Sequence, residues 1–572
     1  MSGTLPAHRP VNRRTLFRWG TGLGLGVAAA PLLAACGDGG TAAKADAIGG
    51  KLLPRTTVRS IGINADLPGT AAGVPNAFLK YPTDLVRATK GTPLKGAKKI
   101  TAVTETFAPL PPARGKNAAW QAIEKLLGTE VDFTAVPADD YPAKFSTMVA
   151  GDQLPDIFMY PETGGVDNMA SFLQAKCADL GPHLSGDKVK DYPNLAAIPE
   201  YGWRDAVKGG KLYGIPIARS GSAGAGFYRA DLFARAGVTS LDQIDSIERL
   251  VELAKELSDS RKKQYFFTGG GVNLLAMSAG AQHLWKRDHK TGKWTYQIED
   301  DKYRYAIETA AKLYKAGCYY PGTVQMSGAQ KAEYTNLFKN GKAAYVYDGM
   351  PSYLAPGAGY VDSMAAIDKT FDVRPIVPVG KDAVAWTDNV SLENCYVTKA
   401  SDARVKEILR LADFAASPFG SLEYTLITYG VEGTDYRRDK NGTPVLTKQG
   451  TQDITVPWSK LASAAPAFFS ATNPDAAKHV HEAYTKIIPM LIEDPTQGYS
   501  SPTWDSKGLG SLYTIHLDGM KDFVTGREPL SAYDSWVKKW RKAGGDTCRA
   551  EFEQASEKQA SEKQASGKKG SK

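Results

Sequence analysis

A strand–helix–strand unit between residues 99 and 136 decides the fold class of this chain. The run KITAVT at residues 99–104 predicts a buried strand, and the run NAAWQAIEKLL at 117–127 predicts an amphipathic helix that ends at Gly128. The run VDFTAV at 131–136 predicts the next strand. Strands that alternate with helices in this way are typical of α/β proteins with mostly parallel sheets. We therefore predict an α/β fold.

The same alternation continues along the chain. Because the chain has 572 residues, its length requires more than one sheet and more than one core. Hydrophobic periodicity predicts further strands at 156–160 and 343–347, and further helices at 141–150, 241–258, 303–316, 403–416 and 530–543.

The net charge of +9 is concentrated at the two ends of the chain. Residues 1–35 contain four arginines and no acidic residue, and residues 556–572 contain five lysines and two glutamates. The body between them is close to neutral, which argues against a nucleic-acid-binding surface. The sequence SEKQA occurs twice, at 556–560 and 561–565, and predicts a disordered basic tail at 556–572.

Residues 1–36 have the pattern of a bacterial export signal. Arg13 and Arg14 precede an uncharged apolar stretch at 19–35 that is too short and too glycine-rich to span a bilayer. The paired arginines resemble a twin-arginine signal, and the general secretory route stays open. The run LAAC at 33–36 resembles a lipobox, which implies lipidation of Cys36. We expect anchoring to the outer face of the cytoplasmic membrane, with residues 37–96 forming a tether and an extended segment.

The cysteines leave two interpretations open. No CxxC pair occurs, which argues against a thiolate metal site or a redox motif. If Cys36 is lipidated, the other four could form two disulfides in any of three connectivities, or remain free buried thiols. These four are Cys177, Cys318, Cys395 and Cys548.

Several segments of the body match motifs of one known family. They are GDQLPDI at 151–157, GKLYGIP at 210–216, FYRADLF at 227–233, FKNGKAAY at 338–345, and the stretches 413–433 and 536–546. In this order, behind a lipobox, they resemble the extracellular solute-binding proteins of ABC importers, within the maltose-binding protein superfamily. The last two stretches are similar to the large oligosaccharide-binding branch. The resemblance covers residues 99–555, with Tyr345 in place of the usual methionine.

The resemblance implies both a fold and a function. The fold would be periplasmic-binding-protein-like, with two discontinuous lobes joined by a hinge: lobe one at 97–218 and 390–455, and lobe two at 219–389 and 456–555. The protein would be a monomer that captures an oligosaccharide between the lobes and delivers it to an ABC import permease. A peptide or a polyol as solute stays open.

Candidate ligand-binding residues follow from the position of loops in open α/β sheets. Ligands bind outside the carboxyl ends of the strands, on the loops that follow them. Sugars need flat apolar partners for their CH faces and charged or amide groups for their hydroxyls. Residues of these types at such positions are Phe107, Asn117, Tyr160, Glu162, Arg219, Ser220, Asp348 and Tyr353. Trp386 and Trp504 lie in loop-like, polar stretches and are further stacking candidates.

An enzyme is the main alternative to a binding protein. The sequence contains neither HExxH nor GxSxG, and we expect no catalytic residue, no metal and no cofactor. His479 and His481 could suggest a metal site, but residues two apart on a helix face in different directions. A secreted glycoside hydrolase or lyase stays open, because Glu105, Glu162 and Asp348 could supply two carboxylates across a cleft.

Overall fold

The computed structural model describes residues 52–569, except residues 71, 162–164, 167–168, 221–223, 289, 327–329, 356–357, 388–390, 493, 497–498 and 500. The strands are β1 Asn76–Phe78, β2 Ile100–Thr106, β3 Val131–Pro137, β4 Ile157–Met159, β5 Val207–Lys208, β6 Lys211–Leu212, β7 Gly214–Ala218, β8 Phe227–Arg229, β9 Tyr265–Phe267, β10 Trp285–Arg287, β11 Trp294–Tyr296, β12 Ala343–Val346, β13 Val373–Pro375, β14 Ala385–Trp386, β15 Ser391–Val397, β16 Tyr436–Arg438, β17 Pro444–Leu446, β18 Ala467–Phe469 and β19 Leu491–Ile492.

The α-helices are α1 Ala118–Leu127, α2 Tyr141–Ala150, α3 Met169–Lys176, α4 Gly181–Leu184, α5 Glu200–Asp205, α6 Ala230–Arg235, α7 Ile247–Glu256, α8 Gly271–Ser278, α9 Asp301–Lys315, α10 Lys331–Lys339, α11 Tyr360–Ile367, α12 Asp402–Ala415, α13 Leu422–Tyr429, α14 Gly450–Asp453, α15 Pro474–Ile487, α16 Pro502–Lys507, α17 Tyr513–Thr525, α18 Tyr533–Trp540 and α19 Asp546–Lys569. No helix of the described part of the chain is long and apolar enough to cross a membrane.

The first large sheet has the strand order β3-β2-β4-β15-β7. Strand β2 runs parallel to both neighbours, and its residue Ala102 is paired with Phe133 and Ile157. Strand β15 runs antiparallel to β4 and β7. Alternate residues of β2 face opposite sides of the sheet: Ala102 packs into the same core as α1, whereas Val103 packs into a second core with Tyr141. This sheet forms the centre of the first lobe.

The second large sheet has the strand order β13-β8-β12-β9. Strand β12 is parallel to β9 but antiparallel to β8, which is also antiparallel to β13. Helix α15 packs against β13, β1 and β18, and Tyr345 of β12 packs into the core that contains helices α8 and α9. This sheet forms the centre of the second lobe.

Both sheets are mixed, which corrects the expectation of mostly parallel sheets. Strands β8 and β15 each enter a sheet directly from the other lobe. A strand that enters in this way starts at the edge where the preceding strands end, so it must run in the opposite direction. Because of this geometry, β2, β4 and β7 end at one edge of their sheet, and β9, β12 and β13 end at the corresponding edge of theirs.

Most of the predicted secondary structure is confirmed. Helix α2 has the predicted bounds, and β2, β3, β12, α9 and α12 lie within three residues of theirs. Helix α1 begins after Asn117, whose side chain caps it, and ends at Gly128 in the left-handed conformation. The helix predicted at 241–258 is instead a short 3-10 turn followed by α7, because Ser246 caps a new helix there.

The segment before β2 packs on both lobes. Leu53 and Leu94 lie in the core of the first lobe, whereas Val74 and Ala77 lie in the core of the second. The lobe boundary near the C-terminus differs from the predicted one, because Trp458 and Leu461 pack into the first lobe. Their indole and isobutyl groups complete the core beneath α1, so the chain crosses between the lobes after residue 462 rather than at 456.

The C-terminal helices pack on the second lobe around an aromatic cluster. Trp540 stacks on Tyr296 with ring centroids 4.1 Å apart, and Trp285 lies 5.8 Å from Trp540. Helix α19 continues to Lys569, which differs from the disordered tail predicted for 556–572. The composition explains the difference, since Ala, Glu, Lys and Gln all have high helix propensity.

The four cysteines of the described part of the chain are free thiols buried in the protein. Of the two alternatives left open by their spacing, free buried thiols are therefore confirmed. Residues 1–36, with the signal sequence and Cys36, lie outside the described residues.

Candidate functional site

The chain crosses from the first large sheet to the second between β7 and β8. One connection follows Ala218 of β7 and leads to β8. The Tyr201 hydroxyl on α5 donates a hydrogen bond of 2.7 Å to the Arg219 carbonyl, and the Ser220 hydroxyl is hydrogen-bonded to the Tyr484 hydroxyl on α15. Helices of both lobes therefore hold this crossing.

A polar cluster lies beside this crossing, on the first lobe. Lys208 Nζ lies 3.0 Å from Asp205 Oδ1, and the Asn394 amide donates a 2.7 Å hydrogen bond to Asp205 Oδ2. The side chains of Lys208 and Asp205 are 33% and 39% exposed. We call Asp205, Lys208 and Asn394 the cleft cluster.

Electrostatics link the cleft cluster to the second lobe. Burial disfavours the Lys208 ammonium, but the Asp205 carboxylate outweighs that effect and raises the pKa of Lys208. The carboxylate of Asp505, on α16 of the second lobe, raises this pKa further. Burial opposes ionisation of Asp205 as well, yet Lys208 and the Asn394 amide hold its pKa below the ordinary value. The cluster is thus a charged pair that keeps its charges although both groups are partly buried.

Two tryptophans among the predicted contact residues lie on the second lobe. Trp386 of β14 stacks on His283 with centroids 4.7 Å apart, and its indole N–H donates to the Ala281 carbonyl at 2.9 Å. Trp504 of α16 is half-buried, with its ring 5.5 Å from that of Trp285. Trp504 therefore leaves part of its ring accessible one residue before Asp505, whereas Trp386 is almost entirely buried.

Two of the predicted ligand-binding residues have structural roles instead. Asn117 is fully buried: its Oδ1 accepts from the Trp120 N–H at 2.8 Å, and its amide donates to the Asp453 carbonyl at 2.8 Å. Tyr353 is also fully buried, with its ring stacked on Phe227 and its hydroxyl donating to the Val373 carbonyl. Both follow strands as predicted, but their side chains point into the core.

Tyr160 and Asp348 are buried close to strand ends and have partners within the protein. The Tyr160 hydroxyl accepts from the Val166 N–H at 3.0 Å, and burial raises the pKa of Tyr160. Asp348 lies 2.6 Å from Lys331 Nζ and accepts from the Tyr360 hydroxyl at 2.9 Å. Glu162, which follows the same strand as Tyr160, lies outside the described residues.

The cleft cluster was missed by the sequence analysis. Lys208 and Lys211 belong to β5 and β6, a hairpin of two-residue strands that is too short to show a period-two pattern. The sequence feature that indicates this hairpin is the pair Gly209-Gly210, which has the residue types of a two-residue hairpin turn. A hairpin predicted there, overlapping the start of the GKLYGIP motif, would have placed Lys208 close to the crossing.

A family comparison identifies the architecture. Residues 110–419 match the model of the bacterial extracellular solute-binding protein family. This chain belongs to that family. The two lobes and their mixed sheets are the fold of a solute-binding protein, as the motifs implied. The described residues contain no group of three or more His, Cys, Asp or Glu placed to hold a metal ion.

Individual relatives of this solute-binding protein are distant in sequence. The polygalacturonan/rhamnogalacturonan-binding protein YtcQ of Bacillus subtilis is 24% identical over 77% of this chain and 88% of its own length. The lipoprotein LipO of Bacillus subtilis is 22% identical over 75% of this chain and 87% of its own. The N-glycan transport solute-binding protein NgtS of Streptococcus pneumoniae superposes with a TM-score of 0.58, at 15% identity, over 82% of this chain and all of NgtS.

Proposed function

We propose that this protein captures an oligosaccharide between its two lobes and delivers it, chemically unchanged, to an ABC import permease. The observation that carries the proposal is a charged pair on one lobe, whose lysine also interacts electrostatically with the Asp505 carboxylate on the other. Lys208 and Asp205 offer a cation and a carboxylate for hydroxyl groups, and Trp504 offers a ring face. Closure of the lobes would bring the two sets of side chains onto one solute.

The contact residues are part of the proposal. We assign direct contact to the cleft cluster and to Trp504, and we retain Arg219 because its side chain is half-buried at the crossing. Ser220 and Trp386 would support the site without touching the solute, since Ser220 is hydrogen-bonded to Tyr484 and Trp386 stacks on His283. Tyr160, Glu162 and Asp348 complete the candidate set at the strand ends.

The chemical class of the solute is proposed from composition and from relatives. YtcQ binds polygalacturonan and rhamnogalacturonan according to its name, and it aligns with most of this chain. Galacturonate and rhamnogalacturonate oligosaccharides are therefore the first candidates. Neutral glycans, peptides and polyols are the comparison classes, because the same architecture accommodates them.

The N-terminal segment is proposed to anchor the protein. Cleavage before Cys36 and lipidation of that cysteine would hold a monomer on the outer face of the cytoplasmic membrane. The paired arginines at 13 and 14 would direct export by the twin-arginine route. LipO, a relative named as a lipoprotein, supports the anchor.

A binding screen with product analysis tests the function. The purified protein is heated with each solute class, and a solute at a hundred times its dissociation constant should stabilise the fold by about 2.7 kcal/mol. The solute that raises the melting temperature is then incubated with the protein and analysed by chromatography. We expect an oligosaccharide that is recovered intact. Shortened or unsaturated products would make the protein a hydrolase or a lyase, and stabilisation by peptides alone would refute the sugar assignment.

A further inference from the structure

The segment before β2 forms an arm that is fixed to the first lobe at both ends. Near its start, the Arg55 N–H donates a hydrogen bond of 2.9 Å to the Gly186 carbonyl. The Thr57 N–H donates one of 2.8 Å to the Ala196 carbonyl. At the other end of the arm, Leu94 packs into the core of the first lobe. The chain between these ends therefore leaves the first lobe and returns to it.

The tip of the arm belongs structurally to the second lobe. We define the tip as residues 67–70 and 74–78, and its strand β1 runs parallel to β18. Val74 and Ala77 of the tip are buried in the core of the second lobe. The tip also closes on itself, because Leu67 and Ala77 exchange two backbone hydrogen bonds of 3.1 and 2.8 Å. It is therefore a compact unit that is carried by the second lobe.

The return from the tip to the first lobe is short. The Phe78 ring, at the end of β1, stacks on Phe419 of the first lobe with ring centroids 4.3 Å apart. Three positions later, the Tyr81 hydroxyl is hydrogen-bonded to Thr425 Oγ1 on α13 at 2.7 Å. Only residues 79–80 lie between, and three extended steps of backbone cover about 11 Å at most. The end of β1 therefore has to stay close to Tyr81 of the first lobe.

The outgoing side of the arm is much longer. Arg59 Nε donates a hydrogen bond of 3.2 Å to Asn194 Oδ1 on the first lobe, and Leu67 follows eight positions later. Eight extended steps of backbone can cover about 28 Å. The return, rather than the outgoing side, thus sets how far the tip can move from the first lobe.

Strand β18 of the second lobe ends at the same place as the arm's strand β1. Its residue Phe469 is paired with Phe78. The Phe469 ring lies 5.3 Å from that of Phe419 and 5.2 Å from that of Tyr81. The arm therefore runs beside the crossing that follows residue 462, and both meet the first lobe at one aromatic cluster.

We propose that the arm is a brace that restrains hinge bending between the two lobes through its short return. The crossings of the chain allow one lobe to bend against the other. The arm adds a connection of fixed length, so the lobes turn about the aromatic cluster of Phe78, Phe419 and Phe469, and widely open states are excluded. This inference goes beyond the proposed function, because it concerns the hinge and depends on no particular solute.

Distances between two spin labels, measured by double electron–electron resonance, test the brace. The labels are attached at Lys125→Cys on α1 of the first lobe and Lys312→Cys on α9 of the second, which are both exposed positions. The chain also carries Cys36→Ser, and its other cysteines are buried. Six glycine and serine residues inserted after Leu79 lengthen the return, and we expect the distance distribution to become about twofold wider. The same insertion after Gly62, in the longer outgoing side, should leave the width unchanged.

A pair of substitutions tests the docking of the tip. Ala77→Glu places a carboxylate in the core of the second lobe and should release the tip, which widens the distribution. Ala72→Glu makes the same change at an exposed position of the arm and should not.

The insertion after Leu79 decides the outcome. An unchanged width in that variant would overturn the brace whatever Ala77→Glu does, and so would equal widening by both insertions. Equal widening by Ala77→Glu and Ala72→Glu would also overturn it, because the effect would then come from the added charge. No solute is present in these measurements, so their failure is distinct from a failure of the proposed function.

Discussion

Glu423 and Arg87 form an ion pair of 2.9 Å that ties the segment before β2 to the first lobe. The Glu423 side chain is fully buried on α13, whereas that of Arg87 is partly exposed. The same carboxylate accepts hydrogen bonds from the backbone N–H groups of Ala88 and Thr89, and one of 2.6 Å from the Thr89 hydroxyl. A single buried side chain thus fixes three consecutive residues of a segment that has little secondary structure of its own.

Replacing Glu423 should therefore loosen this segment. We expect Glu423→Ala to lower the free energy of unfolding by about 2–3 kcal/mol, because buried N–H groups and Arg87 lose a charged acceptor. Urea denaturation at neutral pH measures the change. Glu256→Ala, at an exposed position near the end of α7, is the control and should change stability by less than about 0.5 kcal/mol. Equal losses in both variants would contradict the structural role of Glu423.

The pH dependence of this contribution has a definite sign. Burial alone would raise the pKa of Glu423, but the hydrogen bonds from Thr89, Ala88 and Arg87 outweigh it and lower that pKa. A carboxyl whose folded pKa is depressed stabilises the protein above its unfolded pKa, and the contribution is lost as pH falls through the folded pKa. The difference between wild type and Glu423→Ala should accordingly shrink in acid.

The alternation of strands and helices was predictable from sequence because it rests on local periodicity. The bounds of α2 and β3 follow from side chains a few positions apart. The direction of β8 and β15 was not predictable, because it depends on where the chain enters each sheet from the other lobe. No local pattern encodes that pairing, which joins β15 to strands more than 170 residues away.

The candidate site was predictable only in outline. The rule that ligands bind after strand ends led to Phe107, which is exposed, and equally to Tyr353, which is buried. The rule gives the position of a residue in the fold but not the direction of its side chain. Lys208 was missed for the opposite reason, because it lies in a short hairpin rather than after a long strand.

Ionisation of the buried Asp435 side chain should destabilise the protein at neutral pH. Burial and the neighbouring Asp453 carboxylate raise the pKa of Asp435 to about 6. An acid whose pKa is higher in the folded than in the unfolded state stabilises the fold in its protonated form. This contribution is lost as the pH rises through about 6. Asp435→Asn cannot ionise, and its amide can donate to Asp453 in place of the proton. We expect the free energy of unfolding of this variant to exceed that of the wild type by about 1–3 kcal/mol at a pH near 7.5.

Measurements at two pH values separate this effect from others. The gain for Asp435→Asn should shrink as the pH falls below about 6, and it should disappear only below the ordinary aspartate pKa of about 3.9. Asp439→Asn, an exposed residue in the turn between β16 and β17, is the matched control and should give no gain at either pH. A gain of equal size at both pH values would contradict an origin in ionisation.

Trp540 should be essential for docking the C-terminal helices. Its ring is fully buried and stacks on Tyr296 at an interplanar angle of 10°. Trp540→Ala should lower the free energy of unfolding by about 3–5 kcal/mol, as expected for a large aromatic removed from a core. Limited proteolysis should then cleave first within residues 501–569. Trp540→Phe keeps a ring in the stack and should lose less than half as much, whereas equal losses would contradict a packing role.

The buried cysteines should react only on unfolding. Burial raises the pKa of Cys177 to about 12 and that of Cys548 to about 11, and all four thiols of the described residues are buried. With Cys36 replaced by serine, Ellman's reagent should react slowly with the native protein. After denaturation without reductant it should detect four thiols at once. Two thiols or none after denaturation would indicate a disulfide.

Lys208 should contribute to solute binding more than the neighbouring Lys211 on the same hairpin. Lys208 pairs with Asp205 at 3.0 Å and is one-third exposed, whereas Lys211 pairs with Asp179 at 3.3 Å and is half exposed. The Asp505 carboxylate on the second lobe also contributes to the raised pKa of Lys208. We expect Lys208→Met to weaken binding of a galacturonate trimer about tenfold, because a charge-assisted hydrogen bond is lost. Lys211→Met should bind as the wild type does.

Calorimetry measures both affinities, and thermal unfolding without solute checks that both variants fold. If both substitutions weaken binding equally, the effect is one of net charge, and the cleft cluster is not the place where the solute is held.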